Sequence, residues 1–240
     1  LTEMPKKLVV IGAGVIGSEY AGTFAALGVE VHVIDGRDKL MPFLDEDIAD
    51  TLTDAMTANG VQFHWKERVV GCDTSQPGDV ILTLSSGATM SCDGVLICSG
   101  RQSKTADLNL GAAGIAPAER GLIPVDGNYR TGIPHIYAAG DVIGAPALAA
   151  TSIEQARKAM THAFEASQAR ELATIPPTGI YTIPEVSFAG KSEAELRAEG
   201  TAVIVGRAYY ADLPRGNIIG DRSGPLKLIF RESDMKLVGV

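Results

Sequence analysis

Gly12, Gly14 and Gly17 fall in the run K-K-L-V-V-I-G-A-G-V-I-G-S-E, directly after an apolar stretch and directly before a helical pattern. Glycines at this spacing can hold the pyrophosphate of a dinucleotide: the first permits a tight turn, the second lets backbone approach the phosphates, and the third allows close helix–strand packing. A helix beginning at Val15 and Ile16 would turn free N–H groups and the positive end of its dipole toward that anion. About twenty residues further on, Asp35 ends a second apolar run, where a carboxylate accepts hydrogen bonds from the adenosine ribose. Arg37 follows two positions later. A carboxylate favours a ribose hydroxyl and repels a 2′-phosphate, whereas a guanidinium binds that phosphate. The triplet D-G-R therefore permits both NAD and NADP.

Other reactive side chains are dispersed. The three cysteines, Cys72, Cys92 and Cys98, have no metal-ligand spacing, so no metal site is expected. Cys92 and Cys98 read as one extended segment, too far apart at about 3.3 Å per residue to be bonded, and Cys98 reads as a buried thiol. His32 and His64 fall in strand-like runs, His135 follows a proline and His162 lies in a helical pattern. Each reads as packed or surface histidine rather than ligand or base. No catalytic histidine or paired carboxylate stands out, which suits a site where a bound cofactor carries the reaction.

The elements that must position these residues follow from hydrophobic periodicity. Residues 8–11 read as a buried parallel strand, and Val15, Ile16, Tyr20, Phe24 and Leu27 as the apolar face of a helix that Gly28 closes. A strand at 29–34 comes next, and then a helix from Asp45 to Asn59-Gly60 with Ile48, Leu52, Ala55 and Met56 on one face. Strands at 61–65, 80–84, 89–92 and 95–98 complete a helix-covered sheet with a small antiparallel excursion. Residues 111–121 lack periodicity and read as a boundary. A strand at 136–141 leads into V-I-G-A-P-A and a helix at about 149–169, with a break at 174–178. Beyond it, strands near 179–182, 186–189, 203–210 and 226–230 surround a helix opened by the capping box Ser192/Glu195. The apolar ending L-V-G-V has no terminator and reads as a truncated strand.

The 240 residues, 45% hydrophobic and 21% charged, suit a soluble globular protein with more than one core. A formal net charge of -8 argues against a nucleic-acid partner. No apolar run approaches the roughly eighteen residues needed to span a bilayer, and no leader-like segment precedes the first strand, so the expectation is a cytoplasmic protein.

The runs G-A-G-V-I-G-S-E, Gly100-Arg101, T-G-I-P-H-I-Y-A-A-G-D and P-T-G-I-Y-T-I-P-E-V-S-F-A-G occur in the order seen in the two-dinucleotide-fold flavoprotein disulfide reductases. The chain resembles the middle and C-terminal parts of that family over nearly its whole length. The resemblance implies an α/β fold: a Rossmann-like NAD(P)-binding domain at 1–108, the C-terminal part of an FAD-binding domain at 109–173, and a truncated α+β dimerisation domain at 174–240. It places NAD(P) pyrophosphate at Gly12, Gly14 and Gly17, makes Glu19 a candidate partner for the nicotinamide end, and uses Gly100-Arg101 to close the nucleotide site. Ser103-Lys104 stands where the family often has P-N. Asp141 would hold the ribityl chain of FAD, and Ala147, Leu148, Ala149 and Ala150 would turn N–H groups toward the flavin pyrimidine ring.

Within the family, the runs I-D-G-R-D-K-L-M-P-F-L-D and G-D-V-I-G-A-P-A-L-A are most similar to members that shuttle hydride from NADPH to NAD through FAD. A lipoamide dehydrogenase-like disulfide reductase is the alternative, and a non-catalytic nucleotide-binding or dimerisation module is an alternative of another class. Gly36 departs from the strict NADP users of the family, which tend to carry arginine there. A first glycine fingerprint, the redox C-x-x-x-x-C and the C-terminal His and Glu pair are absent, so this segment alone is expected to be catalytically incomplete. A homodimer is expected of the whole protein.

Overall fold

The computed structural model describes residues 3–76, 78–164 and 175–240, and the chain divides into two units, 1–100 with 177–240, and 101–176. The first unit begins with β1 (Lys7–Ile11), α1 (Val15–Ala26), β2 (Glu30–Asp35), α2 (Glu46–Ala58) and β3 (Val61–Trp65). Next come β4 (Val69–Asp73), β5 (Val80–Leu84), β6 (Thr89–Cys92) and β7 (Gly94–Ile97). Strands β3-β2-β1-β7 form one parallel sheet, with Ile11 in register with Ile34 on one side and Ile97 on the other. Chain order reverses at β1. In open α/β sheets that reversal leaves a crevice outside the strand carboxyl ends, and the glycine turn follows β1 at this edge.

Both faces of the sheet are covered, which explains the nearly continuous apolar runs of its strands. Leu8, Val10, Val31, Val33 and Val61 pack with Ala21 of α1 and with Ala49, Leu52 and Met56 of α2. On the other face, Val9 and Ile34 lie beneath Leu82, Leu84 and Cys92 of the antiparallel meander β4-β5-β6. Strand β4 gave no periodic signal in the sequence.

Helix α1 corrects part of the expected apolar stripe: Val15 and Phe24 pack against the core, but the deepest positions are held by small residues. Its buried residues are Gly17, Ser18, Ala21 and Gly22, whereas Tyr20 and Leu27 are 50% and 60% exposed. The helix is pressed between two backbones, and small side chains allow that approach. A Cβ on Gly17 would collide with the Gly12 carbonyl oxygen, and one on Gly22 would lie 3.3 Å from Ile183 N.

The last third of the chain belongs to this first unit. After α3 (Ala149–Ala163) of the second unit, it contains β8 (Thr178–Ile180), β9 (Val186–Phe188), α4 (Glu193–Ala198), β10 (Val203–Tyr209), α5 (Pro214–Ile219), β11 (Pro225–Arg231) and β12 (Leu237–Gly239). Ile180 is buried in the core of the parallel sheet, with Val186 and Phe188 packed against it. Strands β10-β11-β12 form an antiparallel sheet. The capping box forms as expected: Glu195 N donates to Ser192 Oγ (3.2 Å) and Ser192 N donates to Glu195 Oε2 (2.8 Å).

The second unit is mostly short 3-10 turns leading into α3 (Ala149–Ala163). The strand expected at 136–141 is not formed. Only Tyr137 finds a bridge partner, Arg130, and Asp141–Ile143 is a 3-10 turn; an extended segment becomes a strand only where a neighbour completes its ladder. The expected continuation of α3 through 165–169, and Thr174 of the expected break, lie outside the described residues. Among the described residues no helix is long and apolar enough to cross a membrane.

Candidate functional site

The glycine turn has the geometry that the spacing implied. Gly12 has φ +106°, and a Cβ there would lie 2.6 Å from the Cys98 carbonyl oxygen, so no other residue fits without displacing backbone. Gly14 is the reverse case, because a Cβ built on it meets nothing within 4 Å. Its open side is where a ligand's phosphates could approach. No side chain caps α1 at Gly14, which leaves the N–H groups of Val15, Ile16 and Gly17 available to an anion.

Asp35 ends β2 at the same edge and is 8% exposed. Its Oδ2 accepts from Ala13 N (2.7 Å) and Arg37 Nη2 (2.6 Å), and its Oδ1 from Arg37 N (2.8 Å) and Arg37 Nε (2.9 Å). The paired Arg37 guanidinium and these N–H donors outweigh burial and hold the carboxyl down to about 2. Asp35 thus ties the strand end to the glycine turn, and Arg37 neutralises it. Glu19 lies one turn into α1, where its Oε1 accepts from Tyr181 N (2.9 Å), joining the helix to the last third of the chain.

Gly100, with φ +133°, ends the first run of the first unit, and Arg101 begins the second. Within the second unit Arg101 Nη1 pairs with Asp141 Oδ2 (3.0 Å), so two residues expected to serve different cofactors are brought together. Asp141 opens a 3-10 turn bounded by Gly140 and Gly144, both at positive φ. The start of α3 carries no side-chain cap, and Ala147, Ala149 and Ala150 are exposed there. Within the first turn, Thr151 Oγ1 is buried with no hydrogen-bond partner among the described residues.

The isolated residues behave differently. Cys98 is half-buried rather than buried, and Cys92 is the enclosed thiol. Cys92 ends β6 of the meander and Cys98 follows β7 of the parallel sheet, because the chain turns at Asp93 between the two strands. His32 and His64, from adjacent strands, are hydrogen-bonded through Nδ1 and Nε2 (2.9 Å), with His32 Nε2 against Glu30 Oε1 (2.8 Å). Burial, then the neighbouring His32, pushes the His64 pKa down. Two arrangements had no sequence signal. Arg68 lies over Gly36, and Lys227 is enclosed by Asp45, Asp47 and Glu193. Both join residues remote in sequence.

The family model for the pyridine nucleotide-disulphide oxidoreductases matches residues 1–163, and the model for the dimerisation domain of the same family matches residues 176–240. The chain belongs to the pyridine nucleotide-disulphide oxidoreductase family. Among the relatives of this oxidoreductase family, the soluble pyridine nucleotide transhydrogenases of Hahella chejuensis and Mycobacterium bovis are 43% and 44% identical to it. The whole chain is covered in both alignments, which take in 51% of each relative. It therefore spans about half the length of the curated relatives it matches. Among solved structures, the HOCl-induced flavoprotein disulfide reductase RclA from Escherichia coli superposes with a TM-score of 0.93 at 29% identity, over 100% of this chain and 55% of that one. LpdA from Mycobacterium tuberculosis superposes with a TM-score of 0.90 at 28% identity, over 100% and 52%.

Proposed function

We propose that the whole protein is a flavin-dependent oxidoreductase that moves hydride between NADPH and NAD through FAD. The observation that carries this reading is the open glycine turn, with its uncapped helix and the Asp35–Arg37 pair at the adjacent strand end. The open side of Gly14, with the sides of Gly12 and Gly17 closed by Cys98 and the turn itself, supports the approach of a dinucleotide there. The transhydrogenase relatives, at 43% and 44% identity, favour this reaction over disulfide reduction.

In this reading the Val15, Ile16 and Gly17 N–H groups bind the pyrophosphate. The neutralised Asp35–Arg37 pair borders the adenosine ribose, with or without a 2′-phosphate, and Glu19 faces the nicotinamide end. Gly100-Arg101 borders the nucleotide. Asp141 and the start of α3 at Ala147, Leu148, Ala149 and Ala150 serve FAD, and the unpartnered Thr151 hydroxyl and the uncapped helix end support a polar group there. The flavin would supply the electron-pair relay between the two nicotinamides. The protein's part is orientation and exclusion of water, and no acid or base residue is needed.

The second half of the reading is a homodimer, supported by the match of residues 176–240 to a dimerisation domain. One face of the β10-β11-β12 sheet leaves Ile204, Leu226 and Leu237 exposed, as a subunit interface would require. Anaerobic titration of the full-length protein tests the chemistry. Flavin absorption that NADPH bleaches and NAD restores is expected. Recovery with a disulfide but not with NAD would assign the reductase reaction instead, and a colourless protein that binds NAD(P) would leave only a nucleotide-binding module. Sedimentation as a monomer would refute the dimer.

A further inference from the structure

The loop after β2 is laid against the loop after β3: Lys66 N donates to Arg37 O (2.9 Å) and Glu67 N donates to Asp35 O (3.2 Å). This pairing carries Arg68 across Gly36. A Cβ built on Gly36 would lie 3.0 Å from Arg68 Nε, 3.5 Å from Cγ and 3.6 Å from Nη2, so the glycine leaves the space that the guanidinium occupies. The root of Arg68 is fixed, because Arg68 N donates to Ser85 Oγ (3.0 Å) and Arg68 O accepts from Ser85 N (2.8 Å). Its guanidinium has neither a carboxylate nor a hydrogen-bond partner among the described residues. The adjacent Glu67 is turned away, its Oε2 accepting from Ser85 Oγ (2.6 Å) and Ser86 N (3.2 Å).

Arg37 is in the opposite condition, with Nε and Nη2 both given to Asp35. Asp35 in turn accepts from Ala13 N, Arg37 N, Nε and Nη2. A carboxylate has about four lone-pair positions, so this one has none left for a ribose hydroxyl. The end of β2 thus presents one neutralised ion pair and one uncommitted guanidinium with a planar fork of donors, the geometry that matches a phosphate dianion.

We infer that Arg68 is a specificity-determining residue that binds the 2′-phosphate of an NADP-type dinucleotide, with Gly36 leaving open the space its guanidinium occupies. This rests on the nucleotide site proposed above, and it assigns 2′-phosphate selectivity to a residue outside the D-G-R triplet. Arg37 then serves chiefly to cancel the charge of Asp35, so that a phosphate is not repelled.

The test uses the full-length protein, with adenosine 2′,5′-bisphosphate and 5′-AMP as competitors of NADPH binding. The wild type should bind the bisphosphate at least about ten-fold more tightly than AMP, the scale of one charge-assisted contact. Arg68→Ala should lose about ten-fold for the bisphosphate and NADPH while AMP and NAD stay within about two-fold, and Arg68→Lys should recover part of the loss. Gly36→Val should reproduce the selective loss by crowding the guanidinium without removing it. Unchanged bisphosphate affinity in Arg68→Ala, or equal losses for both competitors, would overturn the inference. Failure of both competitors to displace NADPH from the wild type would instead overturn the nucleotide site itself, and the inference with it.

Discussion

Replacing Lys227 with methionine should weaken the fold substantially. The ammonium is 6% exposed and lies 2.9 Å from Asp47 Oδ1, 2.9 Å from Glu193 Oε2 and 3.4 Å from Asp45 Oδ2. Two further cations touch the cluster: Arg207, 2.7 Å from Asp47 and 3.4 Å from Glu193, and Arg197, 2.7 Å from Glu193. Burial works against the charge on Lys227, yet hydrogen bonds to Asp47 and Glu193 overcome it and raise the pKa. Removing one partner of a buried ion pair costs about 3–5 kcal/mol. Asp47 is about a third exposed, so the lower end, about 3 kcal/mol, applies. At about 2–4 °C per kcal/mol for a body of this size, melting should fall by about 6–12 °C. Thermal unfolding of the full-length protein at pH 7, followed by circular dichroism, measures this. Adding Asp47→Asn and Glu193→Gln to Lys227→Met should restore part of the loss, since partly buried carboxylates left short of counter-charge are its cause. A drop below 2 °C, or no recovery in the triple variant, would refute the reasoning.

The same cluster sets the acid limb of stability. Burial favours the neutral form of Asp47, but Lys227 and Arg207 hold its pKa low, and Lys227 and Arg197 do so for Glu193. Depressed carboxylates stabilise above their unfolded values, near 4, and lose that contribution as pH falls through the lower folded ones; in Lys227→Met this limb should flatten. Gly14→Ala, whose Cβ meets nothing, should leave melting within about 1 °C while weakening NAD(P) at least ten-fold, whereas Gly17→Ala should destabilise by more than about 2 kcal/mol through its clash with Gly12. Equal melting temperatures for the two variants would contradict that division. His64, lowered by burial and by His32 with Lys7 also opposing its charge and Glu67 favouring it, should make wild-type stability fall as pH drops below about 6.5. His64→Gln should flatten urea midpoints between pH 7 and 5, and identical slopes would exclude the histidine as the source.

The proposed nucleotide site was legible because its signals are local. Gly12 needs a positive φ and Gly17 a close approach to Gly12, both set within a few residues, Gly14 leaves the open side proposed for phosphate, and Asp35 follows at the spacing set by one β-α-β unit. The capping box at Ser192 and the helix between Asp45 and Asn59 were readable for the same reason. Periodicity misled at α1, because it assumes that large apolar side chains face the core. The space between β1 and Ile183 admits only glycine, serine and alanine, and no pattern within the helix reports how close its neighbours will come.

Everything that depends on pairing across the chain was decided by tertiary structure. The segment at 136–141 has a strand's composition but lacks a ladder, since hydrogen-bond partners come from other strands. Lys227 meets Asp47 across 180 residues of chain, and Arg68 reaches Gly36 only because β2 and β3 end side by side. The amino-acid sequence by itself determined which residues could hold a dinucleotide. The folded chain decided which of their charges are already satisfied, because a guanidinium or carboxylate is committed by distance in space and not by its place in the sequence.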